Sequence, residues 1–185
     1  RYDSQGFKKT LQMLRALTKE EKPQIFIPKL SKICAKVGVI ITLVPAPKGC
    51  PVSGAARWLT SDKALITLSD RYKTNDQFWF SFFHEAGHLI LHEKRIFFID
   101  TEGQLKSEEE NEADTYASNI LISPDEAKKL SGLGADESEI RKFAEKIGIA
   151  PGIIVGRMQR EKLLVWKSNL NRLKTKVEFS QIRAS

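Results

Sequence analysis

Three residues in one short stretch have the types and spacing that chemistry needs. In Phe83-His84-Glu85-Ala86-Gly87-His88-Leu89 two histidines stand four positions apart, which on an α-helix turns both imidazoles to one face. A glutamate follows the first, and Ala86-Gly87 leaves room beside it. This is the H-E-x-x-H pattern, in which two histidines hold zinc and the glutamate acts as general base on a water. Hydrolysis requires three protein ligands and one open position, because a closed four-ligand site is only structural. The third donor has to come from another element.

The acidic stretch from Glu108 to Ala117 offers several. Glu110 and Asp114 lie one turn apart, so one can bind a metal while the other orients a ligand histidine. Ala113, Ala117, Ile120 and Leu121 turn that same face toward a core, whereas Glu108 and Glu112 lean toward solvent. Glu109 and Glu112 stay as alternatives to Glu110. The other acidic residues suit the positive end of a helix dipole. With Glu110 as ligand the arrangement looks like a gluzincin, with Glu85 passing a proton from water to the leaving amine.

The remaining candidates are weaker. All three histidines fall within nine residues, so donors to an oxyanion would be Tyr72, Arg57 or Tyr116, each with an ordinary structural role as the alternative. His92 shares the face of His84 and His88 and reads as the residue closing the helix at its negative end. Trp58, Trp79 and the phenylalanines before His84 read as core.

Several elements must position these groups. Phe7, Leu11, Leu14 and Leu17 predict a short amphipathic helix, and a second runs from about Gln24 to Val37, ended by Gly38. Val39-Ile40-Ile41-Thr42-Leu43-Val44 is β-branched and bounded by glycine and proline, hence a strand. Ala55–Leu59 and Ala64–Leu68 add two more around the turn Thr60–Lys63. Together they predict a small, mostly antiparallel sheet packed on the H-E-x-x-H helix, which opens near Thr74-Asn75-Asp76. A short strand or apolar loop is expected over residues 94–100. Helices follow from Glu108 to Ile122, from Pro124, from Ser138 to Ile147 and from Pro151 to about Leu164. The fold class is α+β and zincin-like. It divides into an N-terminal helix and linker over residues 1–22, a metallopeptidase core over 23–132, and a helical segment over 133–185.

Phe143 to Ile154 has the form of a helix-turn-helix. Arg157, Arg160 and Lys162 on its second helix are candidate nucleic-acid contacts through phosphate. The 185 residues carry a net charge of +7, which favours anionic partners without naming one. With 41% hydrophobic and 29% charged residues the composition is that of an ordinary globular protein. No apolar run is long enough to span a bilayer, so no membrane role is expected. Two cysteines, Cys34 and Cys50, are too few for a disulfide scaffold and point to the cytoplasm. A polar start at Arg1 without methionine suggests an excised piece of a longer chain.

These motifs together resemble the ImmA/IrrE family of zinc metallopeptidases. The resemblance rests on His84-Glu85-Ala86-Gly87-His88-Leu89 with His92, and on Glu110 to Ala117 leading to Leu121-Ile122-Ser123-Pro124. It extends less specifically over Gly54–Leu59 and Leu68–Lys73, and covers roughly residues 25 to 165. It is similar to the branch fused behind an N-terminal helix-turn-helix in HigA-like antitoxin regulators, although no such N-terminal motif is visible. The resemblance implies a Zn2+ cofactor and a Glu ligand in an E-x-x-A-D pattern, which falls on Glu110. It also implies an intracellular bacterial protein that cleaves or controls a repressor or a toxin–antitoxin partner. A homodimer, and DNA contact through the basic C-terminal segment or a missing N-terminal domain, are further expectations. The rival reading is a regulatory or antitoxin domain without proteolysis, in which zinc is structural or a relic.

Overall fold

A computed structural model describes residues 1–46, 52–71, 73–92 and 108–179. Tyr72, Cys50 and the strand expected over residues 94–100 lie outside them. The described chain is α+β. Helix α1 (Ser4–Leu17) begins at Asp3, whose side chain accepts from the Gly6 N–H, and buries Phe7, Leu11 and Leu14 as the sequence spacing requires. Helix α2 (Pro23–Ala35) carries proline at its first position, where the missing N–H costs nothing. It ends two residues short of the expected Val37.

Strands β1 (Val39–Val44), β2 (Gly54–Thr60) and β3 (Lys63–Ser69) form one sheet in the order β1-β3-β2. β2 and β3 are the antiparallel hairpin that the turn residues predict, closed by Thr60 Oγ1 donating to Asp62 Oδ1 at 2.8 Å. β1, however, pairs with β3 in parallel, Val39 opposite Ala64 through Val44 opposite Ser69. The sheet is therefore mixed rather than mostly antiparallel. β3 lies between β1 and β2, so β1 meets a strand two elements on rather than its neighbour in sequence. With β3 central, Ala64, Ile66 and Leu68 are buried.

Helix α3 (Asn75–Leu91) lies across the sheet and carries the H-E-x-x-H residues. Thr74 stands at its N-cap position without a side-chain cap. Its first half is aromatic, and Trp79, Phe82 and Phe83 there have no exposed surface. Burying each such side chain contributes about 1.5–3 kcal/mol, so this half fixes the helix in the core. Helix α4 (Glu108–Leu121) packs on α3, and α5 (Pro124–Ala127) follows with a full capping box between Ser123 and Glu126. α6 (Glu137–Ile147) and α7 (Pro151–Arg160) pack on each other, and α7 stops four residues earlier than expected.

Two long-range ties hold these helices together. Arg15 of α1 donates to the Leu121 carbonyl at 3.0 Å, to the Ile147 carbonyl, and to Glu126 Oε2 at 3.2 Å. After α7 the chain returns through a 3-10 helix at Asn169–Leu173. There Lys174 Nζ meets Asp76 Oδ2 at 2.7 Å, both buried, and Lys176 bridges to Thr74. No helix among the described residues is long and apolar enough to cross a membrane.

Candidate metal centre

The spacing of His84 and His88 on α3 does bring their rings together, with Nε2 to Nε2 at 3.1 Å. Glu110 on α4 completes a triangle: Oε2 lies 3.2 Å from His84 Nε2 and Oε1 lies 3.1 Å from His88 Nε2. Of the acidic residues at the start of α4, Glu110 joins the two imidazoles in a metal-sized cluster, and Glu109 and Glu112 do not. Two imidazole nitrogens and a carboxylate at such mutual distances are what a tetrahedral ion with bonds of about 2.0–2.1 Å leaves between its ligands. The donor set fits zinc.

Why α4 can come so close is legible at Gly87. A Cβ built there would stand 3.2 Å from the Tyr116 ring and 3.3 Å from the Ala113 Cα. With hydrogen on one helix and alanine on the other, the two backbones nearly touch, and Glu110 reaches across. On another flank of α3, a Cβ on Gly54 at the start of β2 would stand 2.7 Å from Glu85 Oε1. Glu85 is buried, its carboxylate tucked against the backbone of that strand.

Each histidine has an orienting partner through its other nitrogen. Asp114 Oδ1 lies 2.9 Å from His84 Nδ1, as the one-turn spacing from Glu110 anticipates. On His88 the partner is His92, Nδ1 to Nδ1 at 3.1 Å, and His92 Nε2 lies 3.0 Å from Glu112 Oε2. His92 does close α3, since its N–H reaches the His88 carbonyl, yet it also holds a ring of the triangle. The signal was present, as His88 and His92 are one turn apart. Glu112, read as solvent-facing, is exposed and still serves this chain of contacts.

The electrostatics are those of a site awaiting a cation. Burial alone would lower the His84 imidazole, but the Asp114 and Glu110 carboxylates hold it up at about 9. The same contacts with His84 and His88 hold Glu110 well below the usual carboxylate range.

The expected oxyanion donors fare differently. Tyr72 is outside the described residues. Arg57 lies on the exposed side of β2, opposite Leu65 in register. Tyr116 lays its ring against Gly87, and burial, with a smaller contribution from the nearby Tyr2 phenol, pushes its own phenol up to about 12.

Of the basic residues on α7, Arg157 donates to Glu161 at 2.5 Å and to the Ser118 carbonyl at 3.3 Å. Arg160 lies over the Phe80 ring, its guanidinium carbon 3.5 Å from the centroid. Lys162, just past the helix, is exposed. Most of α7 is packed against the protein, including Ile153, Ile154, Val155 and Met158. Phe80, grouped with the core from sequence, is only half-buried, and its ring is 6.2 Å from that of His84. Neither the Phe80–Arg160 stack nor the approach of Gly54 to Glu85 has a signal in sequence, because each joins residues that only the tertiary fold brings together.

Against known proteins, the model of the M78 peptidase family, described as the IrrE N-terminal-like domain, matches residues 47–158. No curated protein matches the chain. The matched span contains β2, β3, α3, α4 and the whole triangle of His84, His88 and Glu110. The family is one of zinc metallopeptidases.

Proposed function

The chain belongs to the M78 peptidase family of IrrE N-terminal-like domains, and from that premise we propose that it is a zinc-dependent endopeptidase acting on a regulatory protein. The observation that carries this reading is the triangle of His84, His88 and Glu110 beside the buried Glu85. His84, His88 and Glu110 would hold the ion. When bound, zinc would polarise the scissile carbonyl and bring the pKa of a water to about 7.

The chain's own residues do the rest. Asp114 and His92 keep the two imidazoles in the tautomer and angle that present Nε2. Glu85 Oε accepts the proton of the attacking water and returns it to the leaving nitrogen. Its position beside Gly54 keeps that carboxylate at the seam between α3 and β2, where an extended peptide laid along β2 would pass.

The substrate class, a repressor or an antitoxin-related regulator, follows from the resemblance of the sequence to ImmA/IrrE proteins, and the cytoplasm is the matching compartment. The test is Glu85→Gln. Zinc content is expected to stay at the wild-type value while cleavage falls by about 10²–10⁴-fold, the usual contribution of a positioned acid–base group. Cleavage at the wild-type rate by the Gln variant, or a wild-type protein that takes up no zinc, would sink the peptidase reading. Regulation unchanged by Glu85→Gln would favour the non-proteolytic rival.

A further inference from the structure

Arg160 carries an inference beyond the metal site, one that rests on the peptidase reading. The guanidinium carbon lies 3.5 Å from the centre of the Phe80 ring, one turn before His84 on the helix that bears the metal triangle. Its base is fixed, because α7 is buried along Ile153, Ile154, Val155 and Met158. The returning chain locks the neighbouring end of α3 through the buried Lys174–Asp76 pair.

Arg157 and Arg160 share this region and differ in what they touch. Arg157 already serves Glu161 and the Ser118 carbonyl. Arg160, which is exposed, makes no hydrogen bond or ion pair among the described residues. Stacking on a ring occupies the face of a guanidinium and leaves its N–H edge outward, the geometry that receives a carboxylate in two parallel hydrogen bonds. Asp76 and Asp114 attract Arg160 at longer range, while their direct contacts go to Lys174 and His84. Arg160 is thus the cation of this corner left for a visitor.

The setting also says what kind of visitor. Phe80, Leu121, Ile153, Arg157 and Arg160 line a narrow cleft between α3, α4 and α7, together with Asp76, whose charge is met by Lys174. An apolar floor with a cationic rim suits a side chain carrying a carboxylate on a short apolar stem. A nucleic-acid backbone needs a broad exposed basic face, whereas α7 turns most of its surface inward.

We propose that Arg160 is a substrate-binding residue that receives an acidic side chain of the peptide. The ring-to-ring spacing puts that side chain within about three residues of the scissile bond, at ~3.4 Å per residue of extended chain.

The test uses the zinc-loaded protein and peptide hydroxamates, which bind the metal without being cut. Pairs differ only by Glu or Gln within three positions of the hydroxamate, and affinities are read by calorimetry. The wild type is expected to bind the best Glu form about 10-fold tighter than its Gln partner, as a charge-assisted bidentate contact implies. Arg160→Ala removes the difference, and Arg160→Glu reverses it in favour of Lys-bearing peptides, with zinc content unchanged in both.

Equal affinity of the wild type for every Glu and Gln pair overturns the inference and leaves the peptidase reading standing. So does a preference that survives in Arg160→Ala. A loss of zinc in Arg160→Ala would instead make Arg160 a positioning residue for Asp114, and the inference fails. If zinc-loaded wild type binds no hydroxamate of either kind, the peptidase reading falls and this inference with it.

Discussion

The two halves of α3 solve different problems with different residues. From Phe78 to Phe83 the helix is held by rings: Trp79 meets Phe26, Phe78, Phe82 and Phe83 at centroid distances between 5.2 and 6.2 Å. From His84 to His88 it is held by smallness, with Ala86 and Gly87 letting neighbouring backbone come near enough for Glu110 to reach two imidazoles. The aromatic half tolerates no loss of volume and does no chemistry. The small half does the chemistry and contributes little packing of its own. A precise site is thus placed by residues that never touch it, and the two kinds of damage are separable.

The aromatic half should show the largest effect on stability. Trp79→Ala is expected to cost about 3–5 kcal/mol, with folding and zinc uptake lost together in a denaturant titration. Trp79→Phe is a sharper probe, because Trp79 Nε1 is buried without a hydrogen-bond partner among the described residues. That variant gives up volume but abandons no polar contact, so its cost should be well under that of the alanine.

The small half should respond in the opposite manner. Asp114→Asn keeps size and helix while weakening the hold on His84, and zinc affinity should fall about 10–100-fold. Competition with a chelator measures it, and the unfolding midpoint of the metal-free protein checks that the core is untouched. A stability loss as large as that of Trp79→Ala would erase the distinction between the halves.

The smallest effect is a slope with pH, and its sign differs between the two forms of the protein. Without metal, His84 is raised to about 9 by its carboxylate neighbours against the pull of burial. Its contribution to stability is complete below its unfolded value of about 6.5, and is lost as pH rises through about 9. Glu110, lowered by the two histidines, contributes above its ordinary value of 4.5 and loses that contribution in acid. Melting temperature of the metal-free protein should therefore decline from about pH 6.5 toward about 9. Zinc requires the neutral imidazole, so the loaded protein should gain stability over the same rise. Parallel curves would mean that His84 is not a ligand.

Much of this was legible before any coordinates. The one-turn spacing of His84 with His88, and of Glu110 with Asp114, needs only the geometry of a helix, and the structure brings all four side chains together. The choice of Glu110 over Glu109 and Glu112 followed from the apolar face of α4. What local patterning could not supply was pairing between distant segments. β1 was read correctly as a strand, yet its parallel partner depends on where β3 inserts. Helix spacing puts His92 on the face of His84 and His88, and only the fold shows that its Nδ1 meets that of His88. Arg160 looked like a phosphate contact because basic residues on a second helix suggest one. Only the docking of α7 shows that it lies on Phe80, beside the metal triangle.

Arg15 extends the same lesson to the far end of the chain. One guanidinium from α1 satisfies the terminal carbonyls of α4 and α6 and holds the capping glutamate of α5. The ends of α4 and α6 carry partial negative charge, so one cation there quiets both while it pairs with the Glu126 carboxylate. The opening helix is consequently a clamp on segments more than a hundred positions downstream. Deleting it as a dispensable leader would loosen the far ends of the very helices that bear Glu110 and precede Arg160.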